Sequence, residues 1–302
     1  MHELIRSNKR RSALVIIVFC AVFVAIGWVV GLTVGGGWTL TVIALVLSIA
    51  LSVGSWWSSA TVALKVSRAR PADETEYRRL HNLVEGLCIA GGIPKPGVYI
   101  IDDEAPNAFA TGRNPQHAAI AVTTGLLSKM NRVELEGVVA HELSHIRHYD
   151  IAVSTVAVTL VGAVALLSDL ALRTLWWNGG RASRGNDRNG HNNPLAIVGF
   201  VLIILAPIIA TLLKRAVSRQ RESLADVGAC ELTRYPPGLI SALEKLQDDT
   251  TVTHSASTAT AHMWIEQPMS GVGDNGRLRS VHKLFNTHPP LQERIDALKD
   301  LG

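Results

Sequence analysis

Apolar positions along the chain fall into two regimes. In four places they run almost unbroken for about twenty residues: Ala13 to about Gly35, Trp38 to Trp57, Ile151 to about Leu172, and Leu195 to Leu213. About twenty helical residues cross the ~30 Å hydrocarbon layer of a bilayer, so each run reads as a transmembrane span. Tryptophans bound the second span and follow the third as Trp176-Trp177, the interfacial position this side chain favours. Gly35-Gly36-Gly37 leaves room only for a tight hairpin, which makes the first two spans an antiparallel pair. The first apolar run exceeds the roughly 7–15 residues of a signal peptide, and no small-x-small site follows it. It is read as a retained span.

Elsewhere the pattern is periodic. Tyr77, Leu80, Leu83, Val84 and Leu87 recur at spacings of three and four, which predicts a helix over Glu74 to Ala90, ended by Gly91-Gly92 and Pro94. Val98 to Ile101, Ala108 to Gly112 and Ala118 to Thr123 are extended candidates, the last two separated by the turn composition Gly112-Arg113-Asn114-Pro115. A helix from Arg132 to His148 has a readable start: Asn131 caps it and Glu134 completes a capping-box pattern, while Gly137 weakens its interior. After the fourth span no proline or glycine intervenes before Gly228, so one helix is expected to leave the membrane and run through Arg219 to Cys230. Residues 250–281, rich in Ser, Thr, Ala and Gly, read as a loop or flap with a short strand candidate at Met263-Trp264-Ile265. The tail from Pro290 to Leu301 is helical in pattern.

Charge refines the topology. Basic residues flank the N-terminus (Arg6, Lys9, Arg10, Arg11), the exit of span two (Lys65, Arg68, Arg70) and the exit of span four (Lys214, Arg215, Arg219, Arg221). The positive-inside rule then places both termini and residues 58–150 in the cytosol. Arg173, Arg181, Arg184 and Arg188 in the loop after span three run against that assignment, and Asp169 near the end of that span is expensive in lipid. The net charge of +4 does not indicate a nucleic-acid partner, because the basic residues sit beside apolar runs. Cys20, Cys88 and Cys230 are widely separated and form no CxxC pair, which excludes a disulfide framework and a thiolate metal site. The organisation expected is a membrane hairpin (1–60), a cytosolic half (61–150), a second membrane hairpin (151–214) and a second cytosolic half (215–302).

The chemistry lies in His141-Glu142-Leu143-Ser144-His145. Two histidines four apart project from one helix face and reach one ion, and Glu142, ~100° around the helix, is turned to meet a water rather than the metal. Zinc fits borderline-soft imidazole and acidifies that water, and the carboxylate takes the proton. A catalytic zinc needs a third protein ligand, for which Glu222, Asp226, His254, His262, His282 and His288 are candidates. Glu222 and Asp226 share a helix face; an ion pair of Glu222 with Arg219 or Arg221 on a solvated surface is the competing reading. Were both helices straight, the zinc would sit ~10–15 Å above the cytosolic edge of the hydrocarbon at 1.5 Å rise per residue.

An HExxH motif between membrane spans, followed by Glu222-x-x-Ala225-Asp226, resembles the HtpX-type membrane zinc peptidases, relatives of the prenyl-protein CAAX zinc peptidases. The resemblance covers nearly the whole chain. It includes Asn107-Ala108-Phe109-Ala110-Thr111-Gly112 before the catalytic helix and Thr287-His288-Pro289-Pro290 near the end. It implies a mainly α protein with a small β-sheet: four transmembrane helices and a cytosolic zincin-type domain holding one zinc ion per chain. It implies Glu222 as third ligand, with His141 and His145, and Asp226 as the carboxylate orienting a ligating histidine. Asp150 either supports a ligand in the same way or caps the helix that feeds span three. His288 either stabilises the oxyanion or packs at a helix start. Asn107, Ala108, Phe109, Ala110 and Thr111 are either the sheet edge along which an extended substrate lies or an internal strand. The function implied is stress-related quality control in a bacterial cytoplasmic (inner) membrane, cutting misfolded or damaged membrane proteins from the cytosolic side. A dedicated processing peptidase for one membrane or lipidated substrate, and a non-catalytic membrane chaperone, are the alternatives. Oligomeric state is left open.

Overall fold

The computed structural model describes residues 2–34, 37–154, 219–255, 263–265 and 289–300. It is mainly helical, with one small sheet. Two long helices, α1 (His2–Val34) and α2 (Gly37–Val66), pack antiparallel. Glycine makes their contact close: a Cβ at Gly27 would stand 2.4 Å from the Cβ of Ala44. Among the described residues one stretch, Gly37–Ser58, is long and apolar enough to cross a membrane, with mean hydropathy 2.0 over 22 residues. Spans three and four lie outside the described residues beyond Ser154.

The sheet comprises β1 (Arg70–Pro71), β2 (Gly97–Ile101), β3 (Ala108–Gly112) and β4 (Ala118–Thr123), in the order β1-β2-β4-β3. β2 and β4 run parallel, while β1 and β3 are antiparallel edges. β3 turns into β4 through a 3-10 turn, Pro115–His117, which Asn114 caps by accepting the His117 amide. Alternation sorts the side chains. Val98, Ile100, Ile120 and Val122 face a large core built with Leu80, Val84 and Leu87 of α3 (Arg78–Gly91) and with Val139, Leu143 and Ile146 of α5 (Arg132–Arg147). Ile101, Phe109, Ala119 and Ala121 face a smaller one built with Ala63 and Leu64 of α2 and with Trp264. Burial on both faces leaves β4 without a solvent side, and the last turns of α2 form part of the floor of the domain.

A short helix, α4 (Thr124–Lys129), follows β4. α5 then starts on the capping box: the Asn131 side chain accepts the amides of Val133 and Glu134, and Glu134 Oε2 accepts the Asn131 amide at 2.8 Å. Glu134 also takes Lys245 Nζ at 2.7 Å and Ser241 Oγ at 2.8 Å, tying that start to α7 (Pro236–Asp248). α6 (Arg219–Thr233) and α8 (Leu291–Lys299) complete the described elements.

Three expectations change. α3 begins at Arg78, not Glu74, because the Asp73 side chain accepts the amides of Thr75 and Glu76 and holds those residues in a turn. α5 does not run straight into the third span. It ends at Arg147, Tyr149 takes φ +62°, and a new helical segment starts at 150. A left-handed residue breaks α continuity, so the height above the membrane estimated for straight helices does not hold on this side. Met263–Ile265 is not a strand; it forms a short 3-10 turn and bend bonded to the sheet by the Ile265 amide on the Ala108 carbonyl at 3.0 Å.

Gly137, unfavourable by helix propensity, is needed for packing. A Cβ there would lie 2.8 Å from the backbone N and Cα of Leu239 on α7. Gly137→Ala gains ~1 kcal/mol of helix propensity but overpacks backbone that cannot step aside, at ~1–3 kcal/mol. The variant is expected to melt below wild type, and a raised Tm would refute this account.

Candidate active site

α5 is buried from Gly137 to Ser144, so the motif sits inside the domain. His141, Glu142, Glu222 and Asp226 are each under 5% exposed. α6 comes close enough to bring Glu222 onto the α5 histidines because Gly228 has no side chain: a Cβ would meet Ser144 Oγ at 2.1 Å. The Nε2 atoms of His141 and His145 lie 3.2 Å apart, and each is 3.7 Å from a Glu222 carboxylate oxygen. Zinc bonds of 2.0–2.2 Å at tetrahedral angles would give edges of roughly 3.3–3.6 Å. The observed edges come near that triangle, the two 3.7 Å edges ending on different Glu222 oxygens, and these three residues are the one such cluster among the described residues.

Both rings are held from behind. His141 Nδ1 is 2.9 Å from Asp226 Oδ1, and His145 Nδ1 is 3.3 Å from Asp150 Oδ2. With a metal bound, a proton kept on Nδ1 and donated to the carboxylate would leave each Nε2 lone pair for the ion. Asp226 is gripped in turn by Arg294 of α8, whose Nε and Nη2 donate to its two oxygens at 2.9 and 2.6 Å. Arg294 is 3% exposed; its Nη1 makes no hydrogen bond and lies 4.0 Å from Glu222 Oε2.

The electrostatics divide the two imidazoles. Burial, reinforced by the Arg294 charge, pulls His141 down to about 4. Burial also works against a charged His145, but the Asp150 hydrogen bond and the charges of Glu222, Asp150 and Glu142 outweigh it and hold that ring up at about 9. Burial would raise Asp226; the Arg294 and His141 charges keep it below the usual carboxylate value. The centre is thus a buried excess of carboxylates around two rings, which a divalent cation would neutralise.

Other expected site residues are placed less centrally. Asn107, Ala108, Phe109, Ala110 and Thr111 are all buried. The Asn107 amide donates to Thr123 Oγ1 and its carbonyl accepts the Thr123 amide, so by alternation Ala108 and Ala110 turn their main-chain groups to the outer edge. The Ala108 carbonyl on that edge is taken by Ile265. His254 is exposed, while His262, His282 and His288 lie outside the described residues. Arg221 faces Asp150 at 4.0 Å from a 6% exposed position, so it is not a surface partner of Glu222. Arg294 was missed by the sequence reading. Its signal was the stripe Leu291, Arg294, Ile295, Leu298, which puts an arginine on the apolar face of the tail helix.

Fold and site together define an HExxH metallopeptidase. Residues 74–301 match the model of Peptidase family M48. The chain is 42% identical over 301 residues to the "Protease HtpX homolog" of Thermoanaerobacter pseudethanolicus, covering 100% of this chain and 98% of that protein. It is 42% identical over 305 residues to the Streptococcus pneumoniae protein of the same name, with full coverage of both. The crystal structure of S. mikatae Ste24p shares the fold at TM-score 0.50 and 17% identity, over 99% of this chain and 67% of the other. The chain belongs to peptidase family M48.

Proposed function

We propose that His141, His145 and Glu222 hold one zinc ion and that Glu142 is the general base of an endopeptidase. The observation that carries this reading is that donor atoms of His141, His145 and Glu222 lie within 4.8 Å of one another, with both Nδ1 atoms turned outward to Asp226 and Asp150. Two imidazoles, a carboxylate and an open fourth position favour zinc over hard cations. When bound, zinc supplies a Lewis acid that acidifies water and polarises a carbonyl. Glu142, on the same helix and offset from the histidine face, takes the proton from the attacking water and returns it to the leaving amine nitrogen. Asp226 and Asp150 keep the two rings in one tautomer, and Arg294 holds Asp226 in place. His288 is assigned to oxyanion stabilisation, and Asn107 to Thr111 to main-chain alignment of an extended substrate.

The Gly37–Ser58 helix, with exposed Trp38 and Trp57 at its ends, supports an integral membrane protein. We assign hairpins at 1–60 and 151–214, catalytic halves at 61–150 and 215–302, and an active site and termini facing the cytosol, in agreement with the basic residues beside the apolar runs. The substrates proposed are misfolded or damaged proteins of a bacterial inner membrane, consistent with the HtpX naming of the relatives. The test is cleavage of casein and of an unfolded membrane-protein fragment by detergent-purified protein, with and without chelator, with cut sites mapped by mass spectrometry. Many dispersed cuts that vanish with chelator and return with zinc are expected. A single cut site would replace quality control by dedicated processing, and chelator-insensitive or absent cleavage would sink the proposal.

A further inference from the structure

The two ring-holding carboxylates are themselves held from opposite ends of the chain. Asp226 is clamped by Arg294 of the C-terminal helix. Asp150 is met by Asn8, in the second turn of α1 and 142 residues earlier, whose side-chain amide donates to Asp150 Oδ1 at 2.5 Å. The second proton of the same NH2 goes to the carbonyl of His148 at 2.9 Å, so both donors of Asn8 are used. Asn8 is 5% exposed and Asp150 4% exposed, which makes these bonds buried.

The place where Asn8 binds matters. His148 and Asp150 bracket Tyr149, the residue at φ +62°. A bulky residue in the left-handed region persists only when its surroundings hold it there. This turn lets the chain leave α5 and swing Asp150 back toward His145, and the Asn8 amide pins it on both sides. An asparagine suits the task. It donates two hydrogen bonds without adding a second cation to Arg221, which already lies 4.0 Å from Asp150 Oδ1.

We propose that Asn8 is a positioning residue for the metal centre: by pinning the 148–150 turn it sets Asp150, and through Asp150 the ring of His145. The N-terminal membrane helix is then a working part of the site, and its tilt or displacement is transmitted to one ligand and not to the other. The proposal rests on His145 being a ligand, as assigned above.

The test uses full-length protein in detergent with four variants. Asn8→Leu removes the donors, Asn8→Asp keeps the shape without a donor, Asp150→Asn weakens the next link, and Ser12→Ala alters a buried hydroxyl one turn further along α1 that has no hydrogen-bond partner. Zinc affinity is measured by competition with a chromophoric chelator, and the visible spectrum of the cobalt-loaded protein reports ligand geometry independently of turnover. Loss of a partner behind a metal ligand lowers affinity ~10–100-fold. Asp150→Asn is expected in that range and the two Asn8 variants at its lower end, about 10-fold. All three should show altered cobalt bands and a lower kcat at unchanged KM, while Ser12→Ala matches wild type. Asn8 variants with wild-type affinity and cobalt bands overturn the proposal, whether or not their Tm has fallen. A wild-type protein that binds neither zinc nor cobalt overturns the metal-site reading instead.

Discussion

Glu142→Gln protein is expected to bind its metal as wild type does and to cleave substrate ~10²–10⁴-fold more slowly, the range a positioned general base contributes. Glutamine preserves the shape of a buried side chain, so α5 and the two imidazoles stay where they are. It cannot accept a proton, so the attacking water is no longer deprotonated at this position. The separation between the two effects follows from the helix. His141 and His145 share a face, and residue 142 is turned ~100° from the first of them. Some effect on affinity remains, because the Glu142 charge is felt at His145 and at Arg294. Metal content by elemental analysis beside initial rates on a casein-type substrate reads both quantities. Turnover at the wild-type rate would remove Glu142 from the mechanism.

The second large effect is expected at Arg294. Arg294→Met leaves Asp226 buried without the guanidinium that grips both its oxygens and takes a positive charge away from nearby Glu222 and Glu142, and breaking one side of a buried ion pair costs about 3–5 kcal/mol. An opposing effect exists, since a cation 4.0 Å from Glu222 also repels the metal. The desolvated carboxylates decide the outcome in the metal-free protein, whereas bound zinc replaces the missing positive charge. Metal-free Arg294→Met is therefore expected to lose most of that 3–5 kcal/mol, and the zinc-loaded variant distinctly less. Denaturant unfolding of both forms measures the gap. Equal losses with and without zinc would show that Arg294 only packs, and does not balance charge at the site.

Local signals in this chain were readable and distant ones were not. Asn131 and Glu134 announce a helix start because the groups that satisfy each other lie three residues apart, and both halves of the capping box form. β3 and β4 have the bounds their composition suggested, because a turn sequence separates two β-prone runs. α4 and α7 were missed although each has a start signal, the Thr123 side chain capping the first and proline opening the second, because neither is followed by a long periodic run. The pairing of α5 with Glu222 on α6 was open among six residues until the family resemblance narrowed it. No periodicity in 132–148 reports which later helix will lie against it. Arg294 and Asn8 belong to the same class. The apolar stripe turns Arg294 inward and nothing local singles out Asn8, but in both cases only the tertiary contact reveals the carboxylate that each one meets.

The glycine contacts on either side of α5 have one more consequence. Gly137 lies against the backbone of Leu239, and Gly228 against the short side chain of Ser144, so little side chain separates α5 from either neighbouring helix. Such a joint has few torsions to excite, so warming loosens it little until the whole domain gives way. Heat inactivation of this enzyme should then coincide with global melting, with no cooler interval in which an intact fold has already lost its catalytic power.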